Sequence, residues 1–485
     1  MPPEAPLPGS DGDDTPGGPK TKKKKPTGRR DLKKLPLKEV RVELPDVLLD
    51  LLVLEGKARR IGFVESCKIH WERGNLCRVV IARVKYSTVD EAGESVVKTA
   101  PMPPETFPRS LAAPSMLAHV AVEKHSDGMP LHRIEDRLGR DGVRVDRGTM
   151  CRWLEDAGAT VGATIVAAAR KEAFRTAFCI ATDATGVSVQ PAPKPDGGRQ
   201  ACRRGHYFVL LADKDHVFFE YTPKENSAVV AEMFRGFSGY VQADASSVYN
   251  VLFPDPAAPT EDPDAPDASE ERKEVGCMAH CRRRFWEAAC AKIEVAREGL
   301  ARISRIFALE DGWRKNPPET IKRLRDQRLR PHLEAFFAWA EVEYAKVIDQ
   351  RGLLRSALGY AVRQKAALLR VLDDGRLVLD NNRSERALRR IATGRKAWLF
   401  AGSDGHAESA GHLFSLIASA RLHKLDPEGY LRDIFRVLAH WPRDRYLELA
   451  PKYWTRTRAR LDARELAAEV GPLTVPPPEQ QAKAD

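Results

Sequence analysis

The chain has 485 residues, enough for two to four domains at roughly 150 residues each, and 79 Lys+Arg against 68 Asp+Glu give a formal charge of +11, which points to a polyanionic partner. With 42% hydrophobic and 30% charged residues it reads as a soluble globular protein. Its longest apolar runs, "VLLDLLVL" and "VGATIVAAA", fall far short of the roughly 18–20 residues that a membrane span needs, so no membrane association is expected.

Residues 1–39 form a Lys-rich, low-complexity leader that cannot build a core and is expected to be disordered. Lys20 to Lys38 hold ten bases against Asp31; the first 38 residues net +5 and leave +6 for the other 447. The leader suits either non-specific phosphate contact or plain solvation. No apolar core follows a basic start, so no secretory signal is expected, and eight scattered Cys do not make a disulfide scaffold. The expected compartment is a reducing cytoplasm.

Residues 40–100 read as a small N-terminal domain, with one strand-like stretch at Cys77 to Tyr86. Past the Pro-rich "APMPPETFP", residues 101–170 read as helical. Leu131, Ile134 and Leu138 fall at helical spacing, a turn runs from Gly142 to Val145, and Asp146 can cap a second helix carrying Met150, Trp153 and Leu154. This is the outline of a helix-turn-helix whose second helix would offer Arg147, Thr149 and Arg152 to a major groove, although many helical hairpins share it.

From residue 171 the period changes. Arg175 to Gln190, His206 to Asp213 and His216 to Thr222 are β-rich, the last two joined by the tight Lys214-Asp215 connection. Ser227 to Phe237 reads as a helix, Gly239 to Asp244 as a fourth strand, and Glu274 to His280 as a short fifth strand entering a helix. The order is that of a mixed sheet of the ribonuclease H type. The expected fold class is therefore α/β: a ribonuclease H-like catalytic domain at 171–420, with an exposed acidic loop at 254–271 and a large helical insertion at 281–372. Helical DNA-binding and C-terminal segments (the latter at 421–470) accompany it, and a disordered tail at 471–485 follows.

Phosphodiester chemistry needs carboxylates that hold two divalent ions roughly 3.5–4 Å apart, and hard oxygen donors suit Mg²⁺ or Mn²⁺. In this topology the positions are the first strand, the end of the fourth, and a helix crossing both. Asp183, Asp244 and Glu385 occupy them, separated by 61 and 141 residues. Each also has an ordinary reading, as a strand-end turn residue or, for Glu385, as the partner of an Asn382 cap or of Arg389. Asp380 competes for the third place, but five residues before Glu385 it would point about 140° away on a continuous helix, and it is expected just before that helix.

Arg383, Arg386, Arg389, Arg390, Arg395 and Lys396 surround Glu385, and Arg282, Arg283 and Arg284 form a second cluster; both are candidate phosphate contacts, or else solvated helix faces. Trp398 and Phe400 read as core. Cys277, His280 and Cys281 invite a zinc reading, but a closed site needs four ligands and no second Cys/His pair is near. Cys67 and Cys77 read as packing thiols.

The blocks "LDNNRSERALRRIATGRKAWLFAGSDGHAESAGHLFSLIASARLHKLDPEGYLRDIF", "GCMAHCRRRFWEA", "VQADASSVYN" and "PLHRIEDRLGRDGVRVDRGTMCRWL" resemble transposases of the IS66 class of bacterial insertion sequences, from roughly Pro101 to Trp441. The resemblance implies a DDE-type catalytic domain, with the triad on Asp183, Asp244 and Glu385 and with Cys277 and His280 in a C-x-x-H signature beside the active site. It implies two Mg²⁺ or Mn²⁺ ions, double-stranded DNA as partner (element ends and target), a homo-oligomer on DNA, helper proteins of the same element, and a bacterial, nucleoid-associated location. The chain departs from the family in three places. No C-x-x-C pair precedes Pro101, so the family's zinc finger and zipper-like helix are not expected, nor is zinc. The first motif reads "TDAT", where Ala184 replaces a more usual Glu, and the acidic loop is an insertion. A non-catalytic DNA-binding derivative, or a nuclease that does not join strands, remains the alternative.

Overall fold

A computed structural model describes residues 37–72, 74–192, 194, 198, 200–253 and 271–478. The expectations for residues 1–36, the acidic loop at 254–270 and the last seven residues lie outside them. Among the described residues no helix is long and apolar enough to cross a membrane.

The N-terminal region is a sheet that periodicity had shown only in part. Strands β2 (Ala58–Glu72) and β3 (Asn75–Val89) form one long antiparallel hairpin, in register from Ala58↔Thr88 to Glu72↔Asn75. The other edge of β3 carries β1 (Lys38–Leu44), parallel, and β4 (Ser95–Thr99), antiparallel. β3 is the strand that was legible, because it is buried along most of its length and reads as a Val/Ile run. β2 is an edge strand with mostly outward-facing side chains, among them Arg59, Arg60 and Glu65, so it lacks the apolar period.

The second sheet has five strands in the order β7-β6-β5-β8-β9. β5 (Cys179–Val189) pairs antiparallel with β6 (Arg203–Ala212), which pairs antiparallel with β7 (His216–Thr222). On its other side β5 pairs parallel with β8 (Gly239–Gln242), and β8 pairs parallel with β9 (Arg272–Val275). The helix after β7 covers Ser227–Met233 and stops short of Phe237.

Strand alternation splits the side chains between two cores. Ile180, Phe208 and Leu210 join a large core shared with the N-terminal helices and the C-terminal segment. Ala181, Tyr207 and Val209 face the helix Asn382–Trp398 through Leu388 and Ile391. The helices from Met278 to Leu372 bury a core of their own around Phe285, Phe336 and Phe337, which meets the sheet at Phe178, Cys179 and Tyr240. In the chain they lie between β9 and the helix Asn382–Trp398.

The sheet edge at β7 is closed by the helix Asp404–Leu422. Ser415 Oγ accepts from Phe219 N at 2.8 Å and Ser419 Oγ from Val217 N at 3.0 Å, so two amides of an edge strand are satisfied by side chains. Small residues make this approach possible. A Cβ at Gly411 would stand 2.7 Å from Phe219 O, and one at Gly158 would stand 2.2 Å from Ser409 O. Gly158→Ala should therefore cost about 1–3 kcal/mol by overpacking against backbone. Gly139→Ala, where nothing lies within 4 Å, should be neutral or stabilising by up to about 1 kcal/mol. Denaturant unfolding of the two variants checks the contrast.

Candidate active site

β5 and β8 are adjacent and parallel, and their last paired residues are Ala181 and Gln242. Asp183 and Asp244 each lie two residues further on, so the register carries them to the same level, Asp183 within β5 and Asp244 just past the C-terminal end of β8. Glu385 lies in the first turn of the helix Asn382–Trp398, which packs on β5.

The three elements are joined by the segment that returns from the helical insertion. Gln242 Nε2, at the end of β8, donates to Val378 O at 2.8 Å. Met278 N, in the C-x-x-H element, donates to Leu379 O at 2.8 Å. Asn381 is buried; its amide donates to Cys277 Sγ at 3.3 Å and its Nδ2 to Thr182 O at 2.6 Å, one residue before Asp183. Asp380 precedes the helix, and its Oδ1 accepts from Asn382 N at 3.1 Å. Asn382 is therefore the capped residue, and Glu385 is free of the capping role weighed for it. His280 Nε2 stands 3.8 Å from Glu385 Oε1, while the buried Nδ1 of the same ring has no hydrogen-bond partner among the described residues.

Asp183 is the electrostatic centre. Burial pushes its carboxyl up to about 6; the Ala184 amide, 2.8 Å from Oδ1, opposes this, and the charges of Asp244, Glu385 and Glu225 add to it. Among the described residues no Lys or Arg forms an ion pair with Asp183, Asp244 or Glu385. Like charges without a protein cation, all oxygen donors, fit a hard divalent ion such as Mg²⁺ or Mn²⁺.

The basic residues divide into two groups. Arg383 is half-buried and donates to Asp213 O at 2.8 Å, Arg390 to Ser126 O at 2.9 Å, and Arg395 to Thr185 Oγ1 at 3.0 Å and to Gly186 O, so these three brace the helix. Arg386, Arg389 and Lys396 are exposed. In the second cluster, Arg282 lies over the Phe307 ring, Arg283 donates to Glu287, and Arg284 lies over Tyr360 and donates to Ser356; all three remain on the surface.

The two helices of the sequence-predicted hairpin are Leu131–Arg140 and Arg147–Ala157, and Asp146 caps the second by accepting from Gly148 N at 2.8 Å. Arg147 and Arg152 are exposed, and Arg152 also donates to Thr149 Oγ1. A cavity of about 590 Å³ separates this helix from the end of the Glu385 helix, lined in part by Arg147, Leu154, Trp398 and Phe400. Phe400, read as core, is 42% exposed. The chain turns outward at Leu399, which holds a left-handed backbone at φ 67°.

Sequence reasoning missed Asn381, Gln242, Glu225 and its partner His206 (3.2 Å). The "DNN" block did signal Asn381, but its partners lie 104 and 199 residues away.

Residues 109–409 match the Transposase IS66 family model, and residues 415–451 match that of the IS66 C-terminal element. Two curated relatives come from Sinorhizobium fredii. Uncharacterized protein y4qI is 27% identical over 77% of this chain and 68% of its own length; uncharacterized protein y4hP is 26% identical over 78% and 69%.

Asp183 binds its proton more tightly folded than unfolded, so it costs stability as the pH rises from about 4, where the unfolded carboxyl ionises, to about 6, and the loss stays constant above that. In chelator, Asp183→Asn should stabilise the protein at about pH 8 by up to about 3 kcal/mol, a Tm rise of a few degrees, and the gain should shrink through about pH 4 and vanish by about pH 3, where the carboxyl is mostly protonated in both states. Thermal melts at the two pH values check this; a pH-independent difference would contradict the crowding of carboxylates.

Proposed function

The chain belongs to the IS66 transposase family, and from that membership we propose that it cleaves DNA at the ends of its element and joins the freed 3′-OH to target DNA, using Asp183, Asp244 and Glu385. A transposase acts on DNA, and the excess of positive charge suits that partner. The observation that carries the catalytic reading is the convergence of three acids from β5, the end of β8 and the Glu385 helix, with no ion pair to Lys or Arg among the described residues.

The strand order and directions support a ribonuclease H-like catalytic domain at 171–420, interrupted by the helical insertion. The acids would hold two divalent ions, which supply activation of the attacking oxygen and charge stabilisation at the leaving one. The chain's own residues do the rest. Asn381 is a positioning residue that fixes the distance between the strand of Asp183 and the helix of Glu385. His280 orients Glu385 from the side, with Cys277 behind it. The exposed Arg386, Arg389 and Lys396, with Arg282 to Arg284, would hold phosphates near the acids, while Arg147 and Arg152 would reach DNA from the second helix of the hairpin. Action as a homo-oligomer on paired ends, with helper proteins, belongs to the same reading.

Asp244→Asn should lower Mg²⁺-dependent strand cleavage roughly 10²–10³-fold or more while leaving DNA affinity within a few-fold. Cleavage at the wild-type rate would remove Asp244 from the site, and cleavage without joining of pre-cut ends would make the protein a nuclease. Arg386→Ala should weaken DNA binding uniformly and reduce the slope of log K against log salt by about 1. Arg383→Ala should instead lower thermal stability, because its partner is the backbone of Asp213. Salt-titrated binding and melting curves of the two variants separate these roles.

A further inference from the structure

We propose that His70, Glu72 and Cys77 form a zinc site at the closed end of the N-terminal hairpin. His70 and Cys77 are directly opposed across β2 and β3, and Glu72 lies two residues along the same face. One donor atom from each side chain lies within 4.8 Å of the others. Bonds of about 2.0–2.3 Å to a tetrahedral zinc place ligand atoms roughly 3.3–3.8 Å apart, so closing the site takes about an ångström of side-chain movement and no change of backbone.

Three further observations favour a metal. The site already attracts a cation: the Lys38 ammonium stands 3.1 Å from Glu72 Oε2, and Lys38 is the β1 residue paired with Cys77. Lys38 is exposed and can swing away. His70 is oriented from behind, with Nδ1 2.8 Å from Ser115 Oγ and 3.5 Å from the buried Glu469 carboxylate, which leaves Nε2 for an ion. A carboxylate behind a ligating imidazole raises its basicity and fixes its tautomer. A cleft of about 430 Å³, lined by Glu72, Asp426, Glu428, Glu469 and Arg432, the last two ion-paired at 3.2 Å, opens beside His70 and gives an ion a path of entry.

Thiolate, imidazole and carboxylate together select zinc over Mg²⁺. Binding would release the Cys77 thiol proton to solvent and leave the fourth position to water. These residues belong to the N-terminal sheet and the acid cluster to the other, so the site stands or falls separately from the catalytic reading. It would lock β1, β2 and β3 together and, through Ser115 and Glu469, to the helical core.

The test uses the full chain, stripped of metal and titrated with Zn²⁺ against a chromophoric chelator, with Co²⁺ as a spectroscopic substitute. The expected result is about one tightly bound ion per chain and a thiolate-to-cobalt charge-transfer band. Cys77→Ser should abolish the band and lower zinc affinity more than tenfold, whereas Cys281→Ser should keep both. Glu469→Gln should weaken binding roughly 10–100-fold. Should Cys77→Ser fail to fold, Glu72→Gln, at a half-exposed position, decides the question by the same tenfold loss. No tight zinc, a band retained in Cys77→Ser, or equal affinity in Glu72→Gln would overturn the proposal.

Discussion

Four residues of returning chain, Val378 to Asn381, hold the candidate active site together. Each acid sits on a different element, and each element is tied to this segment: β8 by Gln242, the C-x-x-H turn by Met278 and Cys277, β5 by the Asn381 side chain. The two ties of Asn381 are buried hydrogen bonds, whose loss costs the desolvation of the partner left behind, about 1–3 kcal/mol each, and that of Gln242 is part-buried. The segment is itself fixed from the insertion side by buried Arg325, which donates to Val371, Asp374 and Leu377 carbonyls and pairs with Glu310. The block of helices from Met278 to Leu372 thus delivers its end to a defined point on the sheet, despite nearly a hundred intervening residues.

That rigidity is needed because the acids repel one another. Asp183 is half-buried, and three neighbouring carboxylates add to the effect of that burial on its proton affinity. Such an arrangement is unfavourable in the metal-free protein and persists only where the surrounding structure over-determines it. The arginines of the Glu385 helix serve the same end in part. Arg383, Arg390 and Arg395 are spent on backbone and side-chain acceptors of the sheet and neighbouring loops, whereas Arg386, Arg389 and Lys396 stay on the surface.

The strands around the acids were legible because their faces are buried and their periods are intact: β7 was bounded as His216–Thr222 from its sequence, and β5, β6 and β8 were placed within a few residues. The hairpin of β2 and β3 was seen only in its inner half, since the outer strand exposes charged side chains and carries no apolar alternation. Phe400 read as core from its composition, whereas the left-handed turn at Leu399 places it at the rim of a cavity. A backbone turn of that kind has no signature when the residue is leucine.

By itself the sequence determined the secondary elements with strong periods, the uneven distribution of charge, and, through the "DNN…ERALR…GRK" block, the family. These are local properties, written in side-chain type and spacing over some tens of residues. Only the tertiary structure decided which of several basic residues are committed to bracing the fold, which asparagine spans the site, and that His70, Glu72 and Cys77 face one another across a hairpin. Each depends on contacts between residues distant in sequence or on the register of two strands, and a hydrogen bond closed across 199 residues leaves no periodic trace in the chain that forms it.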